Sequence, residues 1–105
     1  QWQAVGWREL TWLHPSLEGG PARWTGRPYS PDDPTYLASN TDPPGAMLRL
    51  VRFGTYPGQI ACAFGIVVDT GSVDMDLDGS EALFQKLGTL AEGRVTVLVF
   101  IRESD

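Results

Sequence analysis

One hundred and five residues can enclose one hydrophobic core but not two, so residues 1–105 are expected to form a single domain. Hydrophobic residues at 42% and charged residues at 20% exclude a disordered chain. Thirteen acidic residues against eight scattered basic ones, a formal charge of −5, argue against nucleic acid and anionic membrane surfaces as partners. A neutral or cationic ligand fits that balance better.

In chain order, the stretch from Gln1 to Arg52 is rich in Pro, Gly and Trp, whereas Phe53 to Ile101 is a dense series of β-branched and apolar runs. The first half has too few apolar residues to bury a core alone, so the two must share one. Loose alternation predicts a strand over Val5–Leu13, with Trp7 and Trp12 in the core. The turn signals His14-Pro15 and Gly19-Gly20-Pro21 follow, then a second short strand over Ala22–Thr25.

Pro28 to Pro44 holds five prolines and the aspartates 32, 33 and 42. It reads as a long irregular crossing with one turn of helix near Tyr36, and a loop of this length usually lines a functional surface. Met47–Phe53 and Gln59–Val68 form a predicted hairpin around the turn Gly54-Thr55-Tyr56-Pro57-Gly58. Cys62, the single cysteine, lies in the apolar run Ile60–Phe64 and is expected to pack as a small hydrophobe. It has no internal disulfide partner, and that suits a reducing cytoplasm or a periplasm equally well.

A short helix is predicted over Ser80–Leu87, with Leu83, Phe84 and Leu87 on one face and Gly88 as its stop. Asp78 is the expected N-cap, with Glu81 reciprocating. Arg94–Ile101 closes the chain as a strand apolar on both sides, which predicts burial on both. No apolar stretch approaches the roughly 20 residues of a membrane helix, and no charged-then-apolar leader opens the chain. Metal-ligand spacings, phosphate-binding glycine loops and dinucleotide fingerprints are missing, so neither metal nor cofactor is expected.

The residues suited to chemistry are the aspartates of Val67–Asp76. Asp69 ends a strand, Thr70-Gly71 turns the chain, and Asp74 and Asp76 follow at the spacing that places alternate residues on one side. Carboxylates crowded together would hold a proton to higher pH, as a general acid requires. Against this stands the use of aspartates before glycine as turn residues. A second constellation is aromatic: Trp24, Tyr29 and Tyr36 lie in the polar half, and such rings can stack on sugars while their edges stay wet.

Two known patterns resemble these segments. Asp69-Thr70-Gly71-Ser72 is similar to the active-site signature of aspartic proteases, but only 34 residues follow Gly71 and the closing Val97–Ile101 run lacks the glycine that such folds place behind the site. A longer resemblance runs through Thr25-Gly26-Arg27-Pro28-Tyr29, Ala38-Ser39-Asn40, Pro44-Gly45-Ala46, Val67–Gly71, Met75-Asp76-Leu77 and Ala82–Gly88. It resembles the double-psi β-barrel superfamily, which includes rare lipoprotein A, the first domain of expansins, barwin-like proteins and MltA-type lytic transglycosylases. The implied fold is mainly β: a six-stranded double-psi β-barrel with one or two short helices.

The resemblance implies a cell-wall polysaccharide partner such as peptidoglycan and a periplasmic or secreted setting. In the lytic transglycosylase version Asp76 is the general acid and then the base, Asp69 holds its proton in place, and Asp74 is the third candidate. The substrate-binding candidates are Thr25, Tyr29, Trp24, Tyr36 and Asn40. Ala38–Asp42 lacks the histidine of the rare lipoprotein A enzymes, and His14 beside Pro15 reads as a surface residue. The disulfides of plant barwins and expansins are also missing, which favours a bacterial-type member. The alternative is a non-catalytic module that grips polysaccharide or inhibits a protein target.

Overall fold

The computed structural model describes residues 1–22, 24–54, 58–70 and 76–102. Its strands are β1 (Trp2–Trp12), β2 (Tyr36–Ser39), β3 (Met47–Phe53), β4 (Ile60–Asp69), β5 (Leu77–Gly79) and β6 (Arg94–Arg102). One helix, α1 (Glu81–Gln85), and two 3-10 turns, Pro15–Leu17 and Leu90–Glu92, complete the described elements. The strands close into a barrel in the order β1-β5-β2-β4-β3-β6. The pairs β1–β5 and β2–β4 are parallel and the others antiparallel.

Inside the barrel, register brings apolar residues level with one another: Leu10 with Leu77, Leu48 with Ile101, and Leu50 with both Ala63 and Val99. Leu83, Phe84 and Leu87 from the helical segment complete this core. Each such side chain contributes about 1.5–3 kcal/mol by leaving water. Gly65 lets Leu37 and Leu83 come close, and Gly79 lets Leu83 do so, since a Cβ on Gly65 would lie 2.9 Å from Leu37 Cδ2 and 3.3 Å from Leu83 Cδ2, and one on Gly79 would lie 3.1 Å from Leu83 Cδ2.

Two bulges decide which side chains face outward. In β1, Ala4 pairs with Phe100 but Gly6 pairs with Val99, leaving Val5 as the extra residue. Gly6 sits at φ 126°, a conformation that side chains disfavour. Past this point the odd residues Trp7, Glu9 and Thr11 face out, while Arg8 and Leu10 face in. In β4, Val67 pairs with Leu37 and Asp69 with Ala38, so Val68 is the extra residue there.

Several expectations are corrected. Trp7 is 61% exposed rather than core, because the Gly6 bulge turns it outward; Trp12 is half-buried against the core and donates to the Leu90 carbonyl at 3.0 Å. Cys62 is exposed, since it alternates with the inward Ala63. On β6, Val95, Val97 and Val99 are buried, but Leu98 and Phe100 are only half-covered on the outer side. The Ala22–Thr25 strand reduces to a single bridge between Pro21 and Pro28, and the expected helical turn near Tyr36 is strand β2. Asp78 lies within β5, and the helix is capped instead by Ser80, whose Oγ accepts from Leu83 N at 3.1 Å. The centre of the Gly54–Gly58 turn, and Asp74 with its neighbours 71–75, lie outside the described residues.

Candidate functional site

The candidate residues gather on the outer surface of the half-barrel β1-β5-β2-β4. Register aligns Thr11, Asp78, Ala38 and Asp69 in one row across these four strands. The bulge at Val68 brings Asp69 level with Ala38 in that row. Two residues nearer the rim, Glu9 and Asp76 are joined, with Glu9 N donating to Asp76 Oδ2 at 3.2 Å. Asn40 follows Ser39, the partner of Leu77, and continues this second row as an exposed residue.

Each described carboxylate of this region accepts from the protein. Thr11 Oγ1 donates to Asp78 Oδ1 at 2.8 Å. Asp69 accepts from Thr70 N at 2.8 Å through Oδ1 and from the Tyr36 hydroxyl at 3.5 Å through Oδ2. Asp42 is buried at the barrel mouth, where it forms an ion pair with the inward-facing Arg8 and accepts from Ser39 Oγ at 2.7 Å. Burial raises the Asp78 carboxyl above the usual carboxylate range, with the Thr11 hydroxyl pulling the other way.

Strand β2 runs between Asp69 on β4 and the chain entering β5 at Asp76. Two interstrand spacings amount to about 10 Å. The structure therefore places Asp69 and Asp76 along one strip of surface, with a strand between them, where the sequence reading expected crowding. Asp74, the third catalytic candidate, lies outside the described residues.

The substrate-binding candidates divide by exposure. Tyr29 and Tyr36 are buried, with ring centroids 5.0 Å apart in an edge-on pair, and they pack with Ala22 and Val68 in a small second core. Their rings hold the 20–35 loop onto the sheet, so the stacking role expected of them is corrected to an internal one. Burial raises both phenols to about 12, and the Asp69 charge adds to this at Tyr36. The loop is tied down further by Thr25 Oγ1, which donates to the Val68 carbonyl at 3.3 Å, and by Arg27, which pairs with Asp33. Trp24 next to this anchor is 37% exposed and stays available at the surface.

Sequence reasoning missed Arg8, Thr11, Ser39 and Asp42 as members of this region. The spacing Ser39-Asn40-Thr41-Asp42 carried a signal, since Ser39 Oγ also accepts from the backbone N–H groups of Thr41 and Asp42, both at 3.2 Å. Arg8 carried none, because its inward direction follows from the bulge two residues earlier. A shallow depression lined by Arg52, Gly54, Gln59, Ile60, Ala61 and Leu87 lies at the opposite end of β4 from Asp69.

No protein-family model matches the chain, and no curated protein does. Among solved structures it is similar to cerato-platanin 2 from M. perniciosa, with a TM-score of 0.69 and 16% identity over 93% of this chain and 95% of that one. It is also similar to Streptomyces papain inhibitor, with a TM-score of 0.61 and 20% identity over 95% of this chain and 92% of that one. At these identities the likeness shows the fold alone, a closed six-stranded barrel. The expectation of a mainly β, six-stranded barrel is borne out.

Proposed function

We propose that this barrel is a non-catalytic binding module that holds a polysaccharide along the strip from Trp24 and Asp69 to Asn40, Asp76 and Glu9, in a secreted or periplasmic setting. The observation that carries this reading is the state of the strip carboxylates. Asp76 and Asp69 are each held by a backbone N–H donor while Asp76 stays exposed and Asp69 half-buried, and the exposed Trp24 adjoins Thr25, which is anchored on Val68 next to Asp69. Cleavage by general acid catalysis needs a proton-bearing carboxyl presented to the glycosidic oxygen. Asp78, whose carboxyl burial raises above the usual carboxylate range, faces Thr11 instead.

Pull-down on insoluble peptidoglycan, cellulose and chitin, with assay of the supernatant for soluble sugar, tests the reading. Binding to at least one polymer without release is expected, and Trp24→Ala or Asp76→Ala should weaken it roughly three- to tenfold. Release of anhydro-muropeptides that Asp76→Asn abolishes would overturn it and restore lytic transglycosylase action with Asp76 as acid and base. Failure to bind any of the polymers would also overturn it. The second reading, a protein inhibitor, rests on the likeness to Streptomyces papain inhibitor, and residual papain activity in an excess of the barrel tests it.

A further inference from the structure

We propose that the other half of the barrel wall, the outer face of β1, β6, β3 and β4, docks a protein whose apolar contact surface is ringed by carboxylates. Register lays out this face in rows: Ala4, Phe100, Arg49 and Phe64 in one, and Trp7, Leu98, Val51 and Cys62 in the next. Phe53 and Ile60 pair beyond them. Ile60 is 62% exposed and Phe53 50%, levels comparable to Trp7, while Phe64 and Trp2 are also open to solvent. A continuous apolar surface of this kind on a folded domain marks a contact site rather than scattered exposure.

Charge selects the partner. In a chain of net charge −5, the described strands β3 and β6, together with β4 up to Val68, carry Arg49, Arg52, Arg94 and Arg102 and no acidic residue, and the outward acid of β1, Glu9, is engaged by Thr96 Oγ1, which donates to it at 2.9 Å. Arg52 turns to Glu92, but Arg49 stands exposed among the apolar rows with its Nε 3.3 Å from Cys62 Sγ. Arg102 and Arg94 are exposed at the two ends of β6. Tryptophan, phenylalanine and arginine around a desolvated centre are the composition of a protein hot spot, and carboxylates at the partner's rim would complement the arginines.

Other occupants fit less well. The rings are engaged with one another at a tilt, Trp7 with Phe53 at 5.9 Å and 56° and Trp2 with Phe64 at 5.7 Å and 40°, so neither pair offers a coplanar platform for a sugar chain. A second copy docked by the same face would set arginine against arginine.

The native thiol supplies the reporter, because Cys62 lies within the face and is the single cysteine. A random peptide library displayed on phage is panned against the protein, and the recovered peptides are made synthetically. Peptides rich in Leu or aromatic residues flanked by Asp or Glu are expected, and their binding should slow maleimide labelling of Cys62. Trp7→Ser and Arg49→Glu should each cost about tenfold or more in peptide affinity, with Lys86→Ala as the unaffected control. Circular dichroism verifies that the variants fold, and Phe53→Ser substitutes for any that does not.

Recovery of no common pattern would overturn the proposal, as would peptides that bind Arg49→Glu as well as the parent protein. Flotation of the protein with phosphatidylglycerol vesicles, or concentration-dependent dimers, would also overturn it if Trp7→Ser abolished them, by giving the face to a membrane or to a second copy. Polymer binding by the strip proceeds independently of all these outcomes.

Discussion

At the scale of single residues, the Arg8–Asp42 ion pair at the barrel mouth has the largest structural consequence. Both side chains are mostly withdrawn from water, and Ser39 adds a second donor to Asp42. Removing Arg8 strands a buried carboxylate, so Arg8→Ala should lower the free energy of unfolding by about 3–5 kcal/mol in urea titrations. Replacing both partners with apolar residues should cost much less, which a double-mutant cycle would measure. Asp78 behaves in the opposite sense. Its folded-state pKa is raised, so the folded form binds the proton more tightly than the unfolded chain and stability falls as pH rises from the ordinary carboxylate value through the raised one. Asp78→Asn keeps an acceptor for Thr11 and should stabilise the fold at neutral pH, with the gain vanishing in thermal melts at acid pH. Tyr29 and Tyr36, raised to about 12 by burial, should stabilise the fold fully below pH 10 and lose that contribution between pH 10 and 12, together with a late rise in phenolate absorbance.

At the scale of elements, the two bulges determine what β1 and β4 present. A strict alternation through β1 would have sent Trp7 inward, as the sequence pattern suggested; the extra residue at Val5 reverses this and turns Arg8 into the mouth. A Cβ at Gly6 would meet no atom within 4 Å, so Gly6→Ala isolates the backbone conformation at φ 126°. A loss of about 1–3 kcal/mol is expected, with altered quenching of Trp7 fluorescence as the bulge shifts. Gly65→Ala tests packing instead: its Cβ would crowd Leu37 and Leu83, and a comparable loss of about 1–3 kcal/mol is expected from denaturant unfolding. The hairpin β3–β4 and the helix around Leu83 and Phe84 were legible beforehand, because each carries a local period and a turn or stop signal. Strands β2 and β5, of four and three residues, were not, since neither is long enough to display one.

At the scale of the whole molecule, the barrel is closed by pairing its first strand with its last, Trp2 with Arg102 through Thr11 with Arg94. Closure therefore waits on contacts between the chain's ends, and refolding is expected on the millisecond-to-second scale of non-local β topologies when followed by stopped-flow fluorescence. Opposite halves of the wall also differ in character, one lined with carboxylates around Asp69, Asp76 and Asp78, the other apolar with exposed arginines. That division is invisible in the net charge, which excluded anionic partners for the molecule as an average but did not describe either face.

The sequence by itself determined the class of fold, the position of the hairpin and closing strand, and the acidic segment at the end of β4, because composition, β-branched runs and turn residues act over a few neighbouring positions. Tertiary structure alone decided which residues those elements show to solvent. Bulges at Val5 and Val68 reverse alternation, pairing between distant strands sets Asp78 beside Thr11 and Arg8 against Asp42, and loop packing hides Tyr29 and Tyr36. Each depends on residues far apart in the chain meeting in space, and no local pattern carries that information.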